Sequence, residues 1–388
     1  MDQPLWVERT KPANPSKLGI FLACKLRYVF ETEQPLSKRI GDHPSALLGT
    51  AVHNAAEVLQ RRMPVEASAS LAILEQCIGR LVAYPSPPRR LIAWVFDRYG
   101  KNALLPRAEF ISQAGFAWAL AQRLSRRAER ASGLIYKAGR IPVGLERRLA
   151  SMRLDMAGRA DEIYWVTNGH VRIVDFKTGG IRDSDGNPKR NQVLQLAAYG
   201  LIVKELDPSV DITLELLCKS DQWLGKLDPL TLHAASQLLV DLRTALPRGQ
   251  QISADGLACI GKHCGPCAYR PSCPAYRKKL ESASVIDHGF FGFDICGTDA
   301  NIEEESGFYA MHLSLRTGFA ARISRIPEIL FPAVQCHTGS QGAAFGIRSL
   351  EPARRGTLPQ NFSIVDAQHP RNSAFQSFLD IERTDPKI

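Results

Sequence analysis

A predicted β-hairpin over residues 158–177 constrains the fold of this chain more than any other stretch. Two runs alternate apolar and polar residues, and their apolar members are Ile163, Trp165, Val171 and Ile173. Between the runs, Thr167–Gly169 is a short turn that ends in glycine, the residue best suited to positive φ. The two runs are therefore expected to pair as antiparallel strands, and the rest of the chain is organised around them.

Charged residues cluster where the second strand ends. Asp175 and Lys177 are two apart and project to one face, whereas Phe176 points to the opposite, apolar face. Asp161 lies on the partner strand and is expected to face the same side. Two carboxylates can bind Mg²⁺ or Mn²⁺, and a nearby lysine can polarise a phosphate or position a water. The alternative is a charged hairpin edge without a metal, because a bare Asp-x-Lys is common.

The order and spacing of three motifs resemble the PD-(D/E)XK nuclease superfamily, in particular its RecB-like branch. The motifs are Gly158-x-x-Asp161, Asp175-x-Lys177 and Gln195-Leu-Ala-Ala-Tyr199. The resemblance implies an α/β fold with a restriction-endonuclease-like αβββαβ core. It also implies that Asp161, Asp175 and the carbonyl of Phe176 hold the metal and that Lys177 acts on the phosphate. Gln195 and Tyr199 would position the substrate strand or the metal-bound water.

A helix predicted from about Ser45 carries Gly49-x-x-x-His53-x-x-x-Glu57. His53 and Glu57 are four apart and share one helix face. The segment is similar to the first helix motif of RecB-like nucleases, which implies that His53 helps to hold the metal. A lone histidine that is simply satisfied by its surroundings is the alternative.

Nine cysteines argue for metal or cluster ligation, because a cytosolic chain keeps its thiols reduced. Four of them crowd into one segment, at Cys259, Cys264, Cys267 and Cys273. Zinc is the default for Cys-x-x-Cys, yet a zinc site would usually supply a second such pair. Sets of four thiolates also hold [4Fe–4S] clusters, so the residues alone leave both metal groups open. The remaining isolated cysteines are expected to be buried thiols, at Cys77, Cys218, Cys296 and Cys336.

The same cysteine spacing resembles the iron–sulfur nucleases of the RecB and CRISPR-adaptation type. Residues 15–30, predicted as one amphipathic helix capped by Ser16, are similar to the segment with which those nucleases open. The resemblance implies that Cys24 is the first cluster ligand and that the others are Cys264, Cys267 and Cys273. Cys259 or His263 is the alternative fourth ligand, and a core thiol is the alternative for Cys24.

The formal charge of +10 favours a polyanionic partner. Charge alone does not distinguish nucleic acid from an anionic membrane. No apolar run is long enough to span a bilayer and the N-terminus lacks a signal-peptide core, so we expect a cytoplasmic protein that binds DNA. Basic residues end the helix predicted over 106–132, at Arg123, Arg126, Arg127 and Arg130. They form either a solvated face or a nucleic-acid track.

We expect a nuclease domain over residues 1–283, with a helical insertion at 65–137 and the cysteine segment at 259–273. A β-rich accessory domain of unassigned role follows over 284–388. It is expected to be a small barrel or sandwich, and an oligonucleotide-binding fold is a fold-level analogy only.

The functional hypothesis is a metal-dependent DNA nuclease with a [4Fe–4S] cluster, expected to be an exonuclease acting on DNA ends or single strands in repair, recombination or phage defence. The alternative is a non-catalytic nucleic-acid-binding or adaptor subunit. The sequence lacks a nucleoside-triphosphate loop, so any helicase partner would be another chain.

Overall fold

The computed structural model describes residues 5–33, 39–41, 44–63, 66–83, 89–100, 107–132, 141–330, 341–350, 359–364 and 378–382. The chain divides into two compact units. Unit 1 contains Met1–Pro35, Ala56–Val65 and Gly115–Cys259, and unit 2 contains Leu36–Ala55, Glu66–Ala114 and Ile260–Ile388. The functional division into residues 1–283 and 284–388 stays a prediction.

The described helices are α1 (Leu18–Ala23), α2 (Lys25–Thr32), α3 (Pro44–Arg62), α4 (Ala69–Ala83), α5 (Arg90–Tyr99), α6 (Arg107–Ser132), α7 (Arg190–Leu206), α8 (Pro229–Ala245) and α9 (Pro274–Ala283). Strands of unit 1 are β1 (Trp6–Glu8), β2 (Gly144–Ser151), β3 (Met156–Thr167), β4 (His170–Lys177), β5 (Asp211–Cys218), β6 (Gln222–Lys226) and β7 (Gln251–Ser253). Those of unit 2 are β8 (Val285–Asp287), β9 (Phe293–Glu305), β10 (Phe308–Ser314), β11 (Ala320–Ile326), β12 (Gln341–Ser349), β13 (Asn361–Ser363) and β14 (Phe378–Glu382). None of the helices in these described ranges combines the length and apolarity that crossing a bilayer requires.

A mixed five-stranded sheet forms the centre of unit 1, in the order β2-β3-β4-β5-β6. The predicted hairpin is present as β3 and β4, and Gly169 has the positive φ of +80° that its turn requires. β5 runs parallel to β4, and α7 makes the crossover between them. The predicted α/β class is therefore confirmed.

Small residues let α7 pack tightly within unit 1. Ala197 and Ala198 are fully buried, and a Cβ added at Gly200 would lie 2.4 Å from a methyl carbon of Leu227. The neighbouring α8 starts where Asp228 accepts a hydrogen bond from the backbone N–H of Thr231 at 2.7 Å. Because α7 is buried along most of its length, its polar side chains sit at fixed positions over the sheet.

The N-terminal segment is not the single helix that we predicted. A 3-10 turn at Pro15–Lys17 leads into α1, which ends at Cys24, where the backbone is extended (φ −161°, ψ 117°) before α2 begins. The predicted cap, Ser16, is also wrong, since the side chain of Asn14 accepts the hydrogen bond from the N–H of Ser16 at 3.0 Å. Cys24 therefore occupies a break between two short helices.

Arg123 on α6 is paired with a buried carboxylate of unit 1, while the choice between a solvated face and a nucleic-acid track for the basic cluster stays a prediction. The Arg123 guanidinium pairs with Glu215 of β5, a fully buried carboxylate that also lies 3.3 Å from the guanidinium of Arg172. The amide of Gln222 donates to the same carboxylate at 2.7 Å. The side chains of the predicted Arg127 and Arg130 lie outside the described residues, as does Cys336.

Five strands of unit 2 close into a barrel. β9, β10 and β11 form an antiparallel meander, β13 joins β11 in parallel, and β12 pairs antiparallel with both β13 and β9. Met311, Ile323 and Phe362 are fully buried on three of these strands. The β-rich C-terminal region is thus confirmed, as a five-stranded barrel of the kind seen in oligonucleotide-binding folds, although such a fold assigns no ligand by itself.

Candidate active site

The open end of the paired region of β3 and β4 brings two carboxylates onto adjacent strands. Glu162 and Val174 are paired in the register, so the next position along places Asp161 beside Asp175. An Oδ atom of Asp161 also accepts a hydrogen bond of 2.6 Å from the backbone N–H of Phe176. Alternation buries the Phe176 ring on the other face of β4, as the residue order requires.

Asp175, Lys177 and Gln195 form one connected group. The Lys177 Nζ lies 2.8 Å from Asp175 Oδ2, and the Gln195 amide donates to Asp175 Oδ1 at 2.7 Å. Gln195 Oε1 in turn accepts from Lys177 Nζ at 3.4 Å. The Asp175 side chain is 4% exposed and that of Lys177 27%, so the lysine leads from a buried carboxylate toward solvent. The three groups hold one another in place, and α7 supplies the glutamine.

The electrostatics of Asp161 favour a bound cation. Burial raises the pKa of its carboxyl group well above the usual value, and the neighbouring Asp175 carboxylate raises it further. The Phe176 N–H and Lys177 act in the opposite direction without cancelling the effect. A divalent cation beside Asp161 would remove this penalty by supplying the missing positive charge, so the donor set fits a hard metal ion.

Glu146 of β2 is a further carboxylate that our predicted site residues do not include. Its φ of +48° is unusual for a non-glycine residue and marks an irregularity in the strand. One of its oxygens lies within 4.8 Å of an Asp161 oxygen, and the other contact of its carboxylate is Arg159, at 3.3 Å. Glu146 therefore both approaches Asp161 and pairs with an arginine of the neighbouring strand.

Tyr199 is placed on the backbone of β3 and not on the carboxylates. Its hydroxyl donates to the carbonyl of Arg159 at 2.6 Å, and its ring is fully buried. A Cβ added at Gly158 would lie 3.0 Å from this hydroxyl and 2.8 Å from Pro15. The glycine of the Gly-x-x-Asp motif is therefore explained by packing: it lets Tyr199 approach the strand that carries Asp161.

His53 lies half-buried on α3, within the part of that helix that belongs to unit 2. Cys24, also predicted as a ligand, belongs to unit 1, is buried, and has its Sγ 4.0 Å from the carbonyl oxygen of Leu257. The ligand roles of both residues stay predictions.

Unit 2 contains the three closely spaced cysteines. Cys264 ends a 3-10 turn and its sulfur accepts a hydrogen bond of 3.5 Å from the N–H of Gly261, the type of contact that stabilises a thiolate. The N–H of Cys267 donates to the Cys264 carbonyl at 2.9 Å, and Cys273 caps the start of α9. Within the described residues none of the three forms a disulfide, which is compatible with a thiolate-bound metal group. Cys259 is exposed, whereas Cys77, Cys218 and Cys296 are buried as expected.

The sequence model of the PD-(D/E)XK nuclease superfamily matches residues 12–274, which include β2–β5, α7 and the three cysteines. A solved chain called a putative exonuclease, from Eubacterium rectale, is 14% identical with a TM-score of 0.33, over 63% of this chain and 84% of that one. Another, SSO0001, is 16% identical with a TM-score of 0.24, over 58% of this chain and 95% of that one. No curated protein matches the sequence.

Proposed function

Since this chain belongs to the PD-(D/E)XK nuclease superfamily and is a hydrolytic nuclease, we propose that it hydrolyses phosphodiester bonds of DNA with Mg²⁺ or Mn²⁺ as cofactor. The observation that carries the proposal is the connected group of Asp175, Lys177 and Gln195 beside Asp161, at the end of a hairpin. Two carboxylates and a lysine at one strand end are the elements that metal-assisted phosphodiester hydrolysis needs.

Asp161, Asp175 and the carbonyl of Phe176 are the proposed metal ligands, with His53 as a further ligand taken from its helix motif. Glu146 joins them on the strength of its distance from Asp161. When bound, the cation lowers the pKa of water and neutralises phosphate charge. Burial and the Asp175 carboxylate raise the pKa of Asp161, and a bound cation would favour the ionised carboxylate that ligation requires.

Lys177 is proposed to act on the phosphate or on the attacking water. Its ammonium group is anchored by Asp175 yet partly exposed, so it can donate hydrogen bonds to an oxygen that arrives from solvent. Gln195 fixes the orientation of both partners. Tyr199 contributes by holding the backbone of β3 through Arg159, which makes it a positioning residue.

A [4Fe–4S] cluster held by Cys24, Cys264, Cys267 and Cys273 is the second cofactor that we propose. It is supported by the uneven spacing of the thiols and by the hydrogen bond from Gly261 to the Cys264 sulfur. Zinc is the alternative, and iron and zinc analysis of anaerobically purified protein distinguishes them.

The proposed substrate is DNA, either its ends or single strands, which the protein would degrade as an exonuclease. The proposed setting is repair, recombination or phage defence in the cytoplasm. A helicase or another subunit of a complex is the proposed partner. The competing function is that of a non-catalytic DNA-binding or adaptor protein. This function does not explain why Asp161, Asp175 and Lys177 are all present.

Cleavage assays separate these functions. Purified protein is given single-stranded and duplex DNA, end-labelled or circular, with Mn²⁺ and then with excess chelator. We expect the end-labelled linear DNA to be degraded with Mn²⁺ and to remain intact with excess chelator. Circular DNA should remain intact under both conditions. Binding without cleavage under every metal condition would overturn the nuclease proposal in favour of the adaptor, and cleavage of circular DNA would overturn the exonuclease assignment.

A further inference from the structure

Arg270 is a buried arginine in the middle of the cysteine segment of unit 2. Its side chain is 3% exposed, and it lies in a 3-10 turn between Cys267 and Cys273. A guanidinium carries five N–H donors and cannot be deprotonated, so its burial requires a full set of acceptors. The loop around it supplies those acceptors.

Three main-chain carbonyls of the cysteine loop converge on one nitrogen of Arg270. This Nη1 donates to the carbonyl of Cys264 at 2.9 Å and to that of Cys267 at 3.2 Å. It also donates to the carbonyl of Gly265 between them. Two of the three carbonyls belong to cysteines proposed as ligands. Arg270 therefore fixes the backbone path from Cys264 to Cys267.

Asp294 of β9 holds the other side of the guanidinium. Arg270 Nε and Nη2 contact the two carboxylate oxygens at 2.6 and 3.1 Å, which is a bidentate pair. Asp294 is fully buried and also accepts hydrogen bonds from the Tyr276 hydroxyl at 2.6 Å and the N–H of Gly346 at 2.8 Å. The arginine thus ties the loop to the barrel strands β9 and β12 and to α9.

The pair remains ionic in the folded protein. Burial would raise the pKa of Asp294, but the positive charge of Arg270 and the hydrogen bonds from His288, Arg270 and Tyr276 outweigh it and lower the pKa. A buried ion pair adds little stability over an apolar replacement, so its retention calls for another purpose. Holding a loop of metal-binding thiols in a fixed shape is such a purpose.

We propose that Arg270, held by Asp294, is the positioning residue of the metal-binding cysteine loop. It fixes the backbone of Cys264 and Cys267 so that their thiolates and that of Cys273 meet the metal group with little reorganisation. The inference rests on the proposed cluster for the identity of the metal group but concerns residues outside its ligand set. Lysine could supply the charge at this position but not a planar fork that reaches four groups.

The test compares metal retention with stability in matched variants. Arg270→Met alone leaves Asp294 charged and buried, so a fold defect is expected. The double variant Arg270→Met/Asp294→Asn removes both charges, and its metal-free melting temperature should recover toward that of the wild type. Arg123→Met is the control, because it also takes an arginine from a buried carboxylate, Glu215, which lies in the sheet of unit 1.

The rate of metal release into a chelator is the decisive measurement. It is monitored by the loss of visible absorbance for iron, or with a chromogenic chelator for zinc. We expect the double variant and Arg270→Lys to lose metal about 10–100-fold faster than the wild type, and Arg123→Met to retain it. Electron paramagnetic resonance of the reduced double variant should also show an altered cluster spectrum.

Wild-type release rates in the double variant would overturn the inference. Zinc in the wild type would overturn the cluster proposal alone. The positioning role of Arg270 would then be tested by the rate of zinc release. A wild type that binds neither iron nor zinc would overturn both.

Discussion

Substituting Gly158 by alanine tests how the structure explains the first motif. The added Cβ would lie 2.8 Å from Pro15 Cδ, and 3.0 and 3.1 Å from the hydroxyl oxygen and Cε1 of Tyr199. The first of these distances is too short for any real contact. Either the N-terminal segment or the tyrosine must move, and Tyr199 is hydrogen-bonded at 2.6 Å to the carbonyl of Arg159, next to the site.

The expected cost has two parts. Overpacking a tight core position typically costs about 1–3 kcal/mol of unfolding free energy. Loss of the hydrogen bond from Tyr199 to Arg159 adds about 1 kcal/mol. We therefore expect Gly158→Ala to be destabilised by roughly 2–4 kcal/mol. Its cleavage rate should also fall, because Arg159 is two residues from Asp161.

Urea unfolding of single and double variants measures this cost. Tyr199→Phe alone should cost about 1 kcal/mol. Combined with Gly158→Ala it should cost less than the sum, because the phenylalanine ring lacks the hydroxyl that the new methyl group meets. Gly115→Ala is the control. Outside its own helix backbone and its two chain neighbours, no atom of the described residues lies within 4 Å of the added Cβ, and a helical alanine should stabilise by up to about 1 kcal/mol. A Gly158→Ala protein as stable as the wild type, or strict additivity with Tyr199→Phe, would refute the packing explanation.

Three further predictions concern charges and thiols. With chelator present, the stability of the wild type should decline as pH rises through the raised pKa of Asp161, because burial penalises the charged carboxylate. Melting curves of Asp161→Asn at several pH values should lack this decline. Cys24→Ala should lose visible absorbance and melt at a lower temperature, whereas alanine at the exposed Cys259 should be tolerated. Iron loss from Cys259→Ala alone would make Cys259 the fourth ligand in place of Cys24. Arg123→Ala should lower the free energy of unfolding by about 1–3 kcal/mol without changing the salt dependence of DNA binding, since its partner is buried Glu215. A weaker dependence of DNA affinity on salt would instead indicate that Arg123 contacts DNA.

Local patterns predicted the parts of the structure that depend on neighbouring residues. The period of two along β3 and β4 placed Asp175 and Lys177 on one side of the sheet and Phe176 on the other, and a spacing of four placed Gln195 and Tyr199 on one face of α7. These relations require only regular strand and helix geometry.

Contacts between distant segments were not predictable in the same way. Glu146 has a positive φ and approaches Asp161, and no sequence pattern in β2 predicts either feature. The local sequence did not distinguish Arg123 from the arginines that follow it, because its buried partner, Glu215, lies 92 residues later. The barrel likewise closes through pairing of β9 with β12, and such nonlocal pairing leaves no periodic signal.

The break at Cys24 shows a different limit. The apolar pattern of residues 15–30 is continuous and suits one helix, but the extended backbone at Cys24 interrupts it and Asn14 caps the first turn. Helical periodicity reports which face is buried and not whether the helix is unbroken.

DNA cleavage by Lys177→Ala is the most direct test of the proposed site. The matched control is Lys226→Ala, an exposed lysine on β6 of the same sheet. Each purified variant is assayed for cleavage with Mn²⁺ and for DNA binding with chelator. We predict that Lys177→Ala binds DNA with wild-type affinity and fails to cleave it, while Lys226→Ala does both. Wild-type cleavage by Lys177→Ala would contradict the account, because it would place the chemistry at other residues.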